Sequence, residues 1–140
     1  MTMIAIAMPG GEIRQVPVGT SVRELLGEDR EILAAAVDNL TVSVDYRLVR
    51  PASLRPVRYA QREGHEIYRR TLSFVLAAAA HRAFPRSRIV IGHSLSSGYY
   101  YDLLGDAPPN SDSLARLETE MRRLIEADLP LIQRFISVRE

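Results

Sequence analysis

The chain contains no cysteine, no lysine and no tryptophan. Without cysteine there is neither a disulfide framework nor a thiolate metal site. Without lysine there is no P-loop, which sets a Lys on the nucleotide phosphates, and no Schiff-base chemistry. All 18 basic residues are therefore Arg, a usage that a GC-rich genome explains more simply than a demand for guanidinium chemistry. No apolar run reaches the 18 residues of a membrane span, and the start MTMIAIAMPGG lacks the basic n-region of a signal peptide. A cytoplasmic location with no membrane contact is expected.

What remains is ordinary globular material: 140 residues, 46% hydrophobic and 25% charged, enough for one domain or two small ones. The net charge of +1 conceals a segregation. Residues 1–45 hold 3 Arg against 7 acids, a balance of −4. Residues 46–93 hold 10 Arg against Glu63 and Glu66, a balance of +8, and residues 94–140 hold 5 Arg against 8 acids, a balance of −3. A basic block between acidic ones fits polyanion binding. It fits equally a basic segment docked on its acidic flanks.

Periodicity orders the chain. Residues 2–8 and 12–18 read as two strands joined at Pro9-Gly10-Gly11. Thr20 or Ser21 caps a short helix, VRELLG, with Glu24 as capping-box partner and Gly27 as its end. ILAAAVDNLTVSVDYRLV supplies two extended segments turning at Asp38-Asn39, and RPVRYAQ a further strand. The character changes at Gly64. From His65 to Phe84 no Gly or Pro occurs, and Tyr68, Leu72, Val75, Leu76, Ala79 and Ala83 form a helical stripe that Pro85 stops. Ala77 to Ala80 form a small-residue belt. Residues 88–92 and 98–104 read as strands. A last helix, opened by Ser111 or Asp112, carries Leu114, Leu117, Met121, Leu124, Ile125 and Leu129 on one face. Pro130 ends it, and LIQRFISV reads as a closing strand. Partly segregated strands and helices give the α+β class, with one domain over residues 1–61 and a second over 62–140.

Chemistry-bearing motifs are few. Gly92-His93-Ser94-Leu95-Ser96 imitates a nucleophile elbow, but the glycine required two residues after the nucleophile is Ser96, and no His follows position 93. His65, His81 and His93 form no H-x-x-x-H pair, so a metal site is not expected. Tyr99-Tyr100-Tyr101 in a strand sends Tyr99 and Tyr101 to one face and Tyr100 to the other, with core packing or base stacking as alternative uses. Arg69 and Arg70 lie in the long helix, where Arg70 can pair with Glu66 or present its fork to phosphate. Arg82, Arg86 and Arg88 widen the positive region at the helix end.

The run from Gly64 to Leu103 resembles the second N-terminal accessory domain of threonyl-tRNA synthetases. The shared features are Phe84-Pro85, the Val90-Ile91-Gly92 strand and the Gly98 to Asp102 strand. The first 60 residues resemble the TGS module before it, a β-grasp fold, and the tail from Leu114 resembles the helix and strand that follow. The elements Tyr68-Arg69-Arg70-Thr71-Leu72-Ser73-Phe74 and His93-Ser94-Leu95-Ser96-Ser97-Gly98 are similar to the same modules ahead of bacterial uridine-kinase-like nucleoside kinases. On that resemblance the chain is a non-catalytic accessory region of such a kinase that binds a nucleotide, anion or RNA. Its kinase domain, with ATP and magnesium, is missing, as in a fragment of a longer protein or a stand-alone remnant. The alternative is a tRNA acceptor-arm binding module with editing lost. The synthetase's H-x-x-x-H pair falls on Arg70 and Phe74, and its Cys-x-x-x-His pair has no counterpart. The residues implied to face a ligand are Arg69, Arg70, His93, Ser94, Ser96, Tyr99, Tyr100 and Tyr101; no catalytic residue, metal ligand or cofactor is implied in this chain.

Overall fold

The computed structural model describes residues 1–96, 98–108, 110–132 and 134–138. The chain is α+β and divides into two compact units, Met1–Arg70 and Thr71–Glu140.

In the first unit, β1 (Met3–Ala7) and β2 (Ile13–Pro17) form an antiparallel hairpin running from Met3↔Pro17 to Ala7↔Ile13. Its turn uses Gly10 and Gly11 at φ 88° and 89°, a region glycine enters without steric cost. Of the two candidate caps for α1 (Val22–Leu26), Ser21 is the one used: its side chain accepts from the Glu24 N–H, and the Glu24 carboxylate accepts from the Ser21 N–H. The Thr20 hydroxyl donates instead to the Pro17 carbonyl at 2.7 Å. Gly27 ends the helix at φ 79°.

β3 (Ile32–Val37) and β4 (Leu40–Val42) turn at Asp38 and Asn39, both at positive φ, as a two-residue hairpin that matches strand twist requires. β5 (Ala52–Arg58) begins earlier than the expected start at residue 55 and ends before residue 61. The strands lie in the order β2-β1-β5-β3-β4, with β1 and β5 parallel and the other neighbours antiparallel. This order, with α1 inserted after the first hairpin, agrees with a β-grasp module. Pro56 is tolerated because β1 pairs only with Ala52 and Ser53, leaving one edge of β5 open beyond them.

Alternation of side chains places Ile4, Ile6, Val16, Val22, Ala35, Val37, Leu48 and Leu54 in one core. Ala34, Ala36 and Val57 pack with Ile67 in a second cluster. β3 is thus buried on both faces, and its alanines leave room for α2 (Arg62–Ala83). That helix starts two residues before Gly64 rather than after it. Gly64 is buried in the first turn, where a Cβ would overlap the Arg58 carbonyl oxygen. Gly64 thus marks a close approach of two backbone segments.

In the second unit, β6 (Arg88–Leu95) and β7 (Gly98–Leu104) form an antiparallel hairpin. β6 runs three residues past its expected end at Gly92, so His93, Ser94 and Leu95 are strand rather than turn. Ser96, at φ 48°, turns the chain; Ser97 lies outside the described residues. α3 (Ser111–Glu126) is capped by neither Ser111 nor Asp112 but by Asn110, whose side chain accepts from the Ser113 N–H at 3.0 Å. Its expected apolar stripe is narrower than six residues. Leu117 and Leu124 are buried and Met121 half-buried, but Leu114 and Ile125 are exposed, and Leu129 lies beyond the helix. The turn with Asp128 at φ 48° follows the helix end before Pro130 is reached. No strand forms among the described residues of 131–138, where a closing strand was expected; Gln133 lies outside them. Among the described residues no helix is long and apolar enough to cross a membrane.

Candidate nucleic-acid interface

Folding neutralises much of the basic block. Arg50 pairs with Asp38, Arg58 with Asp29 and Glu31, Arg82 with Glu120, and Arg86 with Asp106, each joining the central segment to an acidic flank. Arg55 and Arg62 pair with Glu63 and Glu66, the two acids inside the block. Apart from Glu120, their side chains are substantially exposed to solvent, and such pairs contribute little to stability. Their effect is on the field: the +8 of the linear count is not a +8 face. Glu66, the expected partner of Arg70, is taken by Arg62 four residues earlier at 3.3 Å.

Two local networks draw carboxylates below their usual range. The Asp38 carboxylate accepts from the Ser53 N–H at 2.8 Å, and Arg50 lies beside it at 2.8 Å. Asp29 accepts from the Glu31 N–H at 2.9 Å and from Arg58. Both are structural: each ties a turn of the first unit to a neighbouring strand or strand end.

The expected ligand residues divide between the units. Arg69 and Arg70 close the first, on α2, Arg69 half-buried and Arg70 exposed. His93, Ser94, Ser96, Tyr99, Tyr100 and Tyr101 belong to the β6–β7 hairpin of the second. There Ile91 pairs with Tyr101 and Ser94 with Tyr99, so Gly92 and His93 together oppose Tyr100 in a β-bulge. Gly92 suits the bulge because the Tyr100 ring would come within 3.2 Å of any Cβ there.

The tyrosines alternate as expected. Tyr99 and Tyr101 are half-buried and meet edge to face at 6.3 Å, and the Tyr101 hydroxyl shares a 2.7 Å hydrogen bond with the Ser73 hydroxyl on α2. Tyr100, on the opposite face, is 52% exposed. His93, Ser94 and Ser96 are exposed beside it in sequence and strand order. Ser94 sits within a strand that turns into another strand, so the hairpin has no nucleophile-elbow geometry. Phe74, at one of the two positions that replace the synthetase His pair, is 69% exposed. Among the described residues no three His, Cys, Asp or Glu side chains are gathered to hold a metal ion.

The fold also gathers residues that are distant in the sequence. Arg116, Thr119, Glu120 and Arg123 share one face of α3 by their spacing. With Arg82 and Ala83 from the last turn of α2 and Ala115, they line a cleft of about 460 Å³. Glu120 holds Arg82 at 3.7 Å and Arg123 at 3.3 Å. Arg116 donates to the Ala83 carbonyl at 3.1 Å and lies over the Phe84 ring at 4.7 Å. In the first unit, Tyr59 stacks on His65 at 4.5 Å and meets Tyr68 edge-on at 5.1 Å. The i, i+3, i+4, i+7 spacing in α3 was visible in the sequence; its pairing with the end of α2 depends on tertiary structure.

No family model matches the chain. It is similar to the threonine–tRNA ligase of Desulforamulus reducens, 36% identical over 133 residues, which covers 91% of this chain and 21% of the ligase. The ligase of Clostridioides difficile is 30% identical over 138 residues, 95% of this chain and 21% of the ligase. That of Symbiobacterium thermophilum is 28% identical over 144 residues, 99% of this chain and 22% of the ligase. The chain therefore spans about a fifth of the length of these relatives, and the similarity is homology to the N-terminal region of threonyl-tRNA synthetases. These matches favour the synthetase side of the resemblance and give no support to a nucleoside-kinase context.

Proposed function

We propose that this chain is a tRNA-binding accessory module related to threonyl-tRNA synthetase, which grips the acceptor arm and performs no hydrolysis itself. The observation that carries the reading is the similarity to threonine–tRNA ligases along nearly the whole chain. Arg70 and Phe74 stand where the synthetase resemblance places its paired histidines, and a guanidinium and a phenyl ring cannot activate a water as a histidine pair does. What these side chains can do is bind. Arginine forks suit phosphate, and the exposed Tyr100 ring offers a stacking face beside His93 and Ser94. Arg69, Ser96, Tyr99 and Tyr101 complete the proposed set, Tyr101 by its hydrogen bond with Ser73 and Tyr99 by packing edge to face on Tyr101.

Nuclease footprinting on an unmodified tRNA tests the reading. Protection confined to the acceptor arm is expected. Uniform cleavage with and without protein overturns it, and so does deacylation of a mischarged tRNA above the uncatalysed rate.

A further inference from the structure

We infer that the arginine cleft between the last turn of α2 and α3 is a phosphate-binding site, taking a phosphodiester of the RNA backbone. It rests on the RNA-binding reading above but uses none of the residues named there. The cleft has three guanidinium groups, from Arg82, Arg116 and Arg123, and one carboxylate, from Glu120. Two positive charges are left over within one concavity. Its volume of about 460 Å³ lies within the ordinary range of ligand sites, and concave walls raise the potential above that of the same charges on a flat surface.

The arrangement is also pre-ordered. Glu120 is only 17% exposed and bridges Arg82 and Arg123, so it holds two guanidinium groups while engaging few of their ten N–H donors. Arg116 is held by the Ala83 carbonyl and the Phe84 ring. That bond matters for sign. The carbonyl end of a helix repels an anion, and here a guanidinium already covers the terminal carbonyl of α2. The Thr119 hydroxyl donates back to the Ala115 carbonyl at 2.9 Å, leaving its oxygen able to accept.

Ala83 and Arg116 also line a neighbouring hollow of about 250 Å³, with Phe84, Pro85, Ser87, Ala107 and the Arg86–Asp106 pair. A chain of phosphates and sugars, rather than a single small anion, fits a basic cleft that shares a wall with a second hollow.

Fluorescence-anisotropy titrations of a tRNA acceptor-arm hairpin, repeated from low to moderate salt, test the assignment. Arg82→Gln and Arg123→Gln should each weaken binding several-fold and flatten the logarithmic salt slope by about 1, and the double variant by about 2. Arg14→Gln, in β2 and paired with exposed Glu12 just before it, should change neither. Glu120→Gln, whose amide oxygen can still accept from the two guanidinium groups while the opposing charge is removed, should bind more tightly than the parent, a gain that misfolding cannot produce. Variants that match the parent in affinity and slope, or a Glu120→Gln that binds more weakly, overturn the site while leaving the RNA-binding reading standing. A parent chain that fails to bind the hairpin at low salt overturns both.

Discussion

A methyl group on Gly64 would collide with the Arg58 carbonyl oxygen, although Gly64 lies inside a helix. On an exposed helix Gly→Ala gains roughly 1 kcal/mol. Here the sign reverses: Gly64→Ala should lose about 1–3 kcal/mol from overpacking, read as a lower urea midpoint at unchanged slope. A raised midpoint would contradict the close approach of α2 to the end of β5. Asp38 supports a second expectation. Its carboxylate is held below the usual range, chiefly by the Ser53 N–H and then by neighbouring groups including Arg50, and Asp29 is lowered by the Glu31 N–H and Arg58. A depressed carboxylate contributes stability that is present above the unfolded value and lost as pH falls through the folded one. Thermal midpoints should therefore hold from neutral pH down to about 5 and fall below about 4. Asp38→Asn, which tolerates the same positive φ, should lower the midpoint at neutral pH and make the acid decline shallower. An unchanged pH profile in that variant would remove Asp38 from the explanation.

Elements whose signals are local were legible in the sequence. The β1–β2 hairpin, the Ser21–Glu24 capping box, the Asp38-Asn39 turn and the alternation of Tyr99, Tyr100 and Tyr101 all follow from neighbours within a few residues. Boundaries set by distant partners were not. β6 runs through polar His93 and Ser94 because β7 lies alongside to pair with it. α2 begins before Gly64 because that glycine is needed against Arg58. At α3, Asn110 wins the cap over Ser111 and Asp112 because its backbone is extended, at φ −129° and ψ 175°, while the next two residues are already helical. Asn110→Ala should then cost about 1 kcal/mol, whereas Ser111→Ala and Asp112→Ala should each cost less. Equal losses at the three positions, measured by chemical denaturation, would show that the cap is shared.

At the scale of the whole chain, the linear charge count was a poor guide to the surface. Its ten arginines in residues 46–93 suggested a polyanion face, yet Arg50, Arg58, Arg82 and Arg86 reach the acidic flanks. What the fold adds is the meeting of Arg82 with Arg116 and Arg123, which no sequence spacing joins. The proposed hairpin residues were legible as a motif because they are contiguous; the cleft was not, because its walls are about 35 residues apart. On the proposed reading the chain binds RNA mainly through phosphate contacts. Its affinity for a tRNA acceptor-arm hairpin between about 50 and 200 mM salt decides the matter. Binding that weakens steadily across that range, with a logarithmic slope of several units, is expected; no binding at the lowest salt, or an affinity indifferent to salt, would contradict it.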